Sequence, residues 1–312
     1  MKAVAKDPYD VVIVGAGHNG LVCAAYLAQA GLSVKVVERR AQVGGAAVTE
    51  EFHPGFRNSI ASYAVGLLNP KVVADLDLFG HGLELVQWQM SNFLPLEDGN
   101  YLKSYPDLER TRQEIARISP EDAAQLEDYE ATIGRLADVL RAFLMQTPPN
   151  TGGGLRDLWS LFKAGRRLHG LDLETQRDLA DIMVMSAVDF LDRWFKSDAV
   201  KSLFAYGGII GTYASPYSPG TAYVLLHHCF GEVNGKNGVW GHAMGGMGAI
   251  SSAIASSARE AGAEIRSGAG VARVVAPYGR ATGVELSSGG TISAHVIAAN
   301  VTPKLLFRDL IE

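Results

Sequence analysis

The stretch from Asp10 to Glu38 constrains the fold more than any other part of this chain. Asp10-Val-Val-Ile-Val14 is a short apolar run of the kind shown by a parallel strand buried on both faces. Gly15-Ala-Gly-His-Asn-Gly20 follows it as a turn. Leu21 to Ala30 is rich in Ala and Leu and predicts a helix, which Gly31 stops. Ser33-Val-Lys-Val-Val37 predicts a second strand, closed by Glu38. Strand, Gly-x-Gly-x-x-Gly turn, helix, strand and acid therefore make one βαβ unit, and the step from Gly20 to Glu38 has dinucleotide-binding spacing.

Each part of that unit has a physical role. Gly15 permits the tight turn, Gly17 lets the backbone approach a diphosphate, and Gly20 lets helix and strand pack closely. The helix start offers free N–H groups and a positive dipole end to phosphates, with Ala16 inside the same turn. Glu38 is placed to accept hydrogen bonds from ribose hydroxyls. It repels a 2′-phosphate, which disfavours NADP. The competing reading is a glycine-rich turn that holds no ligand.

The rest of the chain predicts a discontinuous arrangement. With 312 residues it has room for about two domains. Residues 41–70 are irregular, Ser104 to Leu144 predicts mostly helix with a start at Ser119-Pro120, and Leu155 to Leu203 returns to helical periodicity. Gly245-Gly-Met-Gly248 precedes an Ala/Ser-rich helix from Ala249 to Ala261. Short β-like segments follow at Ala263–Arg266, Gly270–Val275, Ala281–Ser287 and Thr291–Ala298. The fold class is therefore α/β: a Rossmann-like domain from residues 1–75 and 235–312, with a mainly helical substrate domain, 76–234, inserted into it.

Composition removes several function classes. Hydrophobic residues are 47% and charged residues 20%, which excludes wholesale disorder. The net charge of −5 makes a general nucleic-acid binder a poor expectation. Cys23 and Cys229, far apart in sequence, cannot build a disulfide framework or a cysteine-rich metal site, and they fit a reducing, cytoplasmic setting. No secretory h-region and no apolar run of about 18 residues is visible.

Gly44-Gly45, just after Glu38, selects among dinucleotides. Glu38-Arg-Arg-Ala-Gln-Val-Gly-Gly-Ala-Ala-Val-Thr49 resembles the second fingerprint of the FAD-binding flavoprotein superfamily that includes amine oxidases and phytoene desaturases. The resemblance implies that the doublet passes close to the diphosphate of FAD and that Arg40 lies near the adenosine end. Ala46 departs from the pattern, since many members carry Arg there. Trp240-Gly-His-Ala-Met-Gly-Gly-Met-Gly248 resembles the glycine-rich segment that phytoene desaturase-type proteins place before a helix. By the same resemblance Val271 meets the adenine and Ile297-Ala-Ala-Asn300 closes the nucleotide site. Gly220-Thr-Ala-Tyr-Val-Leu-Leu-His-His228 is similar to the pyridine nucleotide-disulfide oxidoreductase domain-containing protein 2 type.

The family implies an FAD-dependent oxidoreductase taking a hydride from an apolar organic substrate. With no second strand–GxGxxG–helix–acid unit for NAD(P)H, the expected electron acceptor is oxygen or a quinone. Widely separated cysteines do not support thiol–disulfide exchange. The superfamily ordinarily closes over the flavin ring with a further glycine-rich segment. None follows Asn300, so the resemblance implies a further C-terminal segment or a second chain. The alternatives are a non-catalytic FAD-fold scaffold and a plain NAD-dependent dehydrogenase, against which Gly44-Gly45 counts. No catalytic residue is assigned. His227 and His228, read as neighbours on a strand facing opposite ways, are substrate-side candidates with Tyr217, and no metal site is expected. Residues 155–169 predict an amphipathic helix with Leu155, Leu158, Trp159 and Phe162 on one stripe and Arg156, Lys163, Arg166 and Arg167 beside it. That stripe either packs inside the inserted domain or rests on a membrane surface.

Overall fold

The computed structural model describes residues 8–311. The chain divides into two compact units: one joins residues up to Val86 with those from Gly241 onward, and the other is Gln87–Trp240. The sequence reading sets these limits at 75 and 235. Residues 76–86 stay with the first unit because Leu76, Leu78 and Leu83 are buried, and His81 bonds Ser256 (3.1 Å) and faces Glu260 (3.3 Å).

A six-stranded sheet organises the first unit. Its order is Glu264–Arg266, Val34–Val37, Tyr9–Val14, Thr291–Ala299, Gly283–Leu286, Val271–Val275. The first four strands run parallel, and the last two pairings are antiparallel. At the centre Val12 sits opposite Ile297 and Val14 opposite Ala299, so the two ends of the sequence meet in one ladder. Val11 to Val14 are buried, as their unbroken apolar run requires. The helices His18–Gln29 and Met247–Glu260 pack on each other, and Ala24, Ala25, Ala28, Ala253 and Ala258 on them are buried.

Thr291–Ala299 pairs with Gly283–Leu286 only through residues 291–293. Past that point no named strand covers its outer edge among the described residues, and Val296 is 54% exposed there. The stretch 41–70, read as irregular, contains a hairpin, Thr49–His53 with Phe56–Ser59. Most of its residues are exposed, which removes the hydrophobic alternation that reveals a strand in sequence.

The second unit is mainly helical, with a small antiparallel pair, Asn92–Pro95 and Tyr101–Ser104. The long helix Pro120–Leu144 begins at the expected Ser119 cap, whose Oγ accepts from the Asp122 N–H (3.2 Å). Leu126, Tyr129, Ile133 and Leu136 on that helix pack with Ile182, Phe190, Phe195, Leu203 and Leu226. Asp122 is fully buried, and its two carboxylate oxygens accept from the Lys196 and Ser197 N–H groups, each at 2.9 Å.

Two expectations change in this unit. Thr221–His227 is a helix, not a strand; Gly220, at φ 85°, turns the chain into it. Leu155–His169 is the predicted helix, yet none of its residues is buried, and Leu155, Leu158, Trp159 and Phe162 of its apolar stripe are exposed.

Candidate nucleotide site

The three glycines of the first turn all lie against one residue from the far end of the chain. A Cβ on Gly15 would sit 2.7 Å from the Asn300 carbonyl oxygen, and one on Gly17 would sit 2.9 Å from Asn300 Nδ2. One on Gly20 would meet the Gly15 oxygen at 2.4 Å and Asn300 Nδ2 at 2.8 Å. Asn300 is held by its own N–H donating to Val14 (2.8 Å) and by Nδ2 donating to the Gly15 carbonyl (3.3 Å). Gly15 adopts φ 99°, which a side chain would strain.

The Gly44-Gly45 doublet touches the same turn. The Gly44 N–H donates to Ala16 (2.8 Å), Gly17 and Gly44 form a parallel bridge, and a Cβ on Gly45 would come 3.1 Å from Gly17 Cα. Gly44 and Gly45 take φ 128° and 60°. Two glycine segments thus make one backbone surface with no side chains between them. Above it, the helix His18–Gln29 starts at Gly17 with no side-chain cap and no acid in its first turn. Its first N–H groups are left for an anion.

Glu38 is 8% exposed and bonds the protein's own loops. One oxygen accepts from the Ala16 N–H (2.8 Å), the other from the Arg40 N–H (2.9 Å). Each carboxylate oxygen keeps a second lone pair for a ribose hydroxyl. Glu38 also accepts from Ala269 through its carbonyl (2.8 Å), and Gly268 donates to the Arg40 carbonyl (2.8 Å). The turn 268–270 therefore runs along Glu38–Arg40 and leads into half-buried Val271. The Arg40 side chain pairs with Glu50, which also accepts from Gln42 (2.9 Å). Ala46 is exposed.

Gly246 and Gly248 are glycines for a different reason. A Cβ on Gly246 would lie 2.4 Å from Thr49 Oγ1, and one on Gly248 would lie 2.7 Å from the Thr49 nitrogen. Thr49 Oγ1 accepts from the Gly248 N–H and Ser59 Oγ from the Met247 N–H, both at 3.0 Å, while Ser251 donates to the Ala47 carbonyl (2.7 Å). These hydroxyls cap the helix Met247–Glu260 and seat it on the Gly44–Thr49 segment. Sequence reasoning missed Thr49 and Ser59. The one available signal was the presence of hydroxyl residues in a strand pair that reads as polar.

The substrate-side candidates belong to the second unit. Tyr217 is 71% exposed in the loop before Thr221–His227. His228 Nδ1 donates back to the Val224 carbonyl (2.7 Å), and the His227 ring stands edge-on to His228 and Phe230 (5.5 Å each). Burial, with His228 beside it, holds the His227 pKa below the ordinary value of 6.5. No group of three metal-ligating side chains occurs among the described residues. Cys23 and Cys229 are both free thiols. Burial raises the Cys23 pKa, and burial with Glu130 nearby pushes that of Cys229 up to about 12, so neither offers the thiolate that disulfide exchange needs.

Residues 13–74 match the family described as NAD(P)-binding Rossmann-like domain. The chain is 39% identical to the mouse pyridine nucleotide-disulfide oxidoreductase domain-containing protein 2, across 98% of this chain and 55% of that protein. It is 30% identical to a limonene dehydrogenase polypeptide of Castellaniella defragrans, across 97% of this chain and 53% of that one. The chain spans about half the length of the curated relatives it matches. A solved putrescine oxidase variant, 21% identical, superposes with a TM-score of 0.56 over 98% of this chain and 60% of that one. Over the length they share, the chain is similar to pyridine nucleotide-disulfide oxidoreductase domain-containing protein 2, and it shares the fold of the putrescine oxidase structure.

Proposed function

We propose that the first unit binds FAD and that the chain serves a flavin-dependent oxidoreductase acting on an apolar organic substrate. The observation that carries this reading is the side-chain-free surface where Gly17 meets Gly44, lying between an uncapped helix start and the Glu38 carboxylate. A single glycine turn would suit any dinucleotide; the second glycine segment favours the FAD type. The fit is chemical as well as steric. Free N–H groups of His18–Gln29 would hold the diphosphate, the spare lone pairs of Glu38 would take ribose hydroxyls, and the backbone near Val271 would border the adenine.

When bound, the flavin supplies a hydride acceptor, and the chain's own work is binding, orientation and exclusion of water. No general acid or base is assigned: His227 and His228 are committed to ring contacts and a backbone bond. Oxygen or a quinone is the proposed electron acceptor.

The test is reconstitution. Purified protein mixed with FAD should show a bound-flavin visible spectrum and an FAD-dependent rise in melting temperature, with no equal rise from NAD. A rise with NAD alone would overturn the cofactor assignment. Anaerobic bleaching by an apolar C–H or C–N donor would establish catalysis. A non-catalytic scaffold is the second reading, favoured by the engagement of both histidines in contacts of their own. Retained FAD with no bleaching, even beside the remaining half of a relative, would favour it.

A further inference from the structure

The loop that carries Gly44-Gly45 is tied at its base. Arg40 leaves the Glu38 turn, Glu50 lies in the strand Thr49–His53, and their side chains form an ion pair across residues 41–49. Gln42 Nε2 donates to the same Glu50 oxygen (2.9 Å), which draws the start of the loop into the tie. The Arg40 backbone is fixed on both sides: its N–H donates to the Glu38 carboxylate (2.9 Å) and its carbonyl accepts from the Gly268 N–H (2.8 Å). Inside the loop the Gly44 N–H donates to the Ala16 carbonyl (2.8 Å) and the Ala47 N–H to the Gly44 carbonyl (2.9 Å).

Two consecutive glycines are costly to hold in place. Gly44 and Gly45 sit at φ 128° and 60°, and glycine loses more conformational freedom on ordering than any other residue. Gly45 must also stay close to the first turn, since a Cβ on it would lie only 3.1 Å from Gly17 Cα. Tying the ends of such a loop together lowers the entropy that ordering it costs.

We infer that Arg40 is a positioning residue and not a nucleotide ligand: through Glu50 it shapes the 41–49 loop, so that Gly44-Gly45 already lies on the 15–20 turn when a dinucleotide arrives. The resemblance instead puts Arg40 near the adenosine end. The two roles predict opposite effects at Glu50. If Arg40 is a ligand, removing Glu50 frees it and tightens binding; if it is a strut, removing Glu50 loosens the loop and weakens binding. The effect on FAD rests on the proposed cofactor, whereas the tie itself does not.

The experiment uses the whole chain as Arg40→Ala, Glu50→Ala and the double variant, each with an unchanged circular dichroism spectrum. Amide exchange of Gly44 and Ala47 is followed by NMR in flavin-free protein, and FAD affinity by titration of flavin fluorescence. Each single variant should speed exchange at both amides about two- to fivefold and weaken FAD binding by a similar factor. The double variant should be no worse than either single one, because both remove the same contact. Arg40→Lys, which keeps the charge, should recover most of the loss. Unchanged exchange in Glu50→Ala overturns the inference. So does tighter FAD binding by Glu50→Ala, or a loss in Arg40→Ala that exceeds the Glu50→Ala loss and adds to it. If the wild-type chain takes up no FAD, the cofactor reading falls and amide exchange alone decides the tie.

Discussion

Glu38, proposed here as the ribose acceptor, also holds the loops around it. The sequence reading sees the first role; the Ala16 and Arg40 N–H groups reveal the second. Glu38→Ala should therefore destabilise the protein even without FAD, by about 1–3 kcal/mol, because two N–H groups lose their acceptors. Glu38→Gln, which retains one acceptor oxygen, should fall between. Urea denaturation of flavin-free samples checks this, and an unchanged midpoint for Glu38→Ala would remove the loop-holding role. Gly20→Ala should cost about 1–3 kcal/mol through the contact with the Gly15 oxygen; the same denaturation series reads it. The glycine spacing was legible in sequence. The resemblance put Asn300 at the same site, but that all three glycines press on Asn300 itself was not legible, because Asn300 and Gly20 are far apart in sequence and no local pattern links them.

His227 gives a pH dependence with a definite sign. Its folded pKa lies below 6.5, so between the two values the unfolded chain holds more protons and stability rises with pH. The native state should lose stability as pH falls below about 6.5, and His227→Phe should flatten that slope. Equal slopes in denaturation series from pH 7.5 to about 5 would sink the assignment.

At the scale of elements, the helices were legible wherever caps and periodicity coincide. Ser119-Pro120 marks the start of Pro120–Leu144, and the cap bond is there. The hairpin Thr49–His53 with Phe56–Ser59 escaped because its exposed residues show no alternation, and Thr221–His227 because so short a helix displays no period. Asp122 works between elements: it ends the last bend before the helix Asp198–Ala205 by accepting two N–H groups from Lys196 and Ser197. Asp122→Ala should cost about 2–4 kcal/mol in thermal melts, since the carboxylate is buried and both donors lose their acceptor. Asp122→Asn should recover part of the loss.

For the whole molecule, the two units have unequal claims to independence. The Gln87–Trp240 unit is continuous in sequence and owns a core running from Leu102 to Phe230. Expressed alone, residues 87–240 should give a helical spectrum and a cooperative melt. Residues 1–86 alone should not, because Tyr9–Val14 and Val34–Val37 would lack the strands Thr291–Ala299 and Glu264–Arg266 on either side. A cooperative transition from 1–86, or none from 87–240, would contradict this division.

The central ladder also sets a clock. Tyr9 faces Ala294, so this strand waits for the 285 residues between them (294 − 9) to be synthesised before its neighbour exists. At about 5–20 residues per second that wait is roughly 15–60 s. During it Val11 to Val14 is an unsheltered apolar segment, while the intervening unit can already have folded. The newborn chain should therefore depend on a holding chaperone for its first strand, and slowed translation of residues 240–300 should increase aggregation in proportion to the delay.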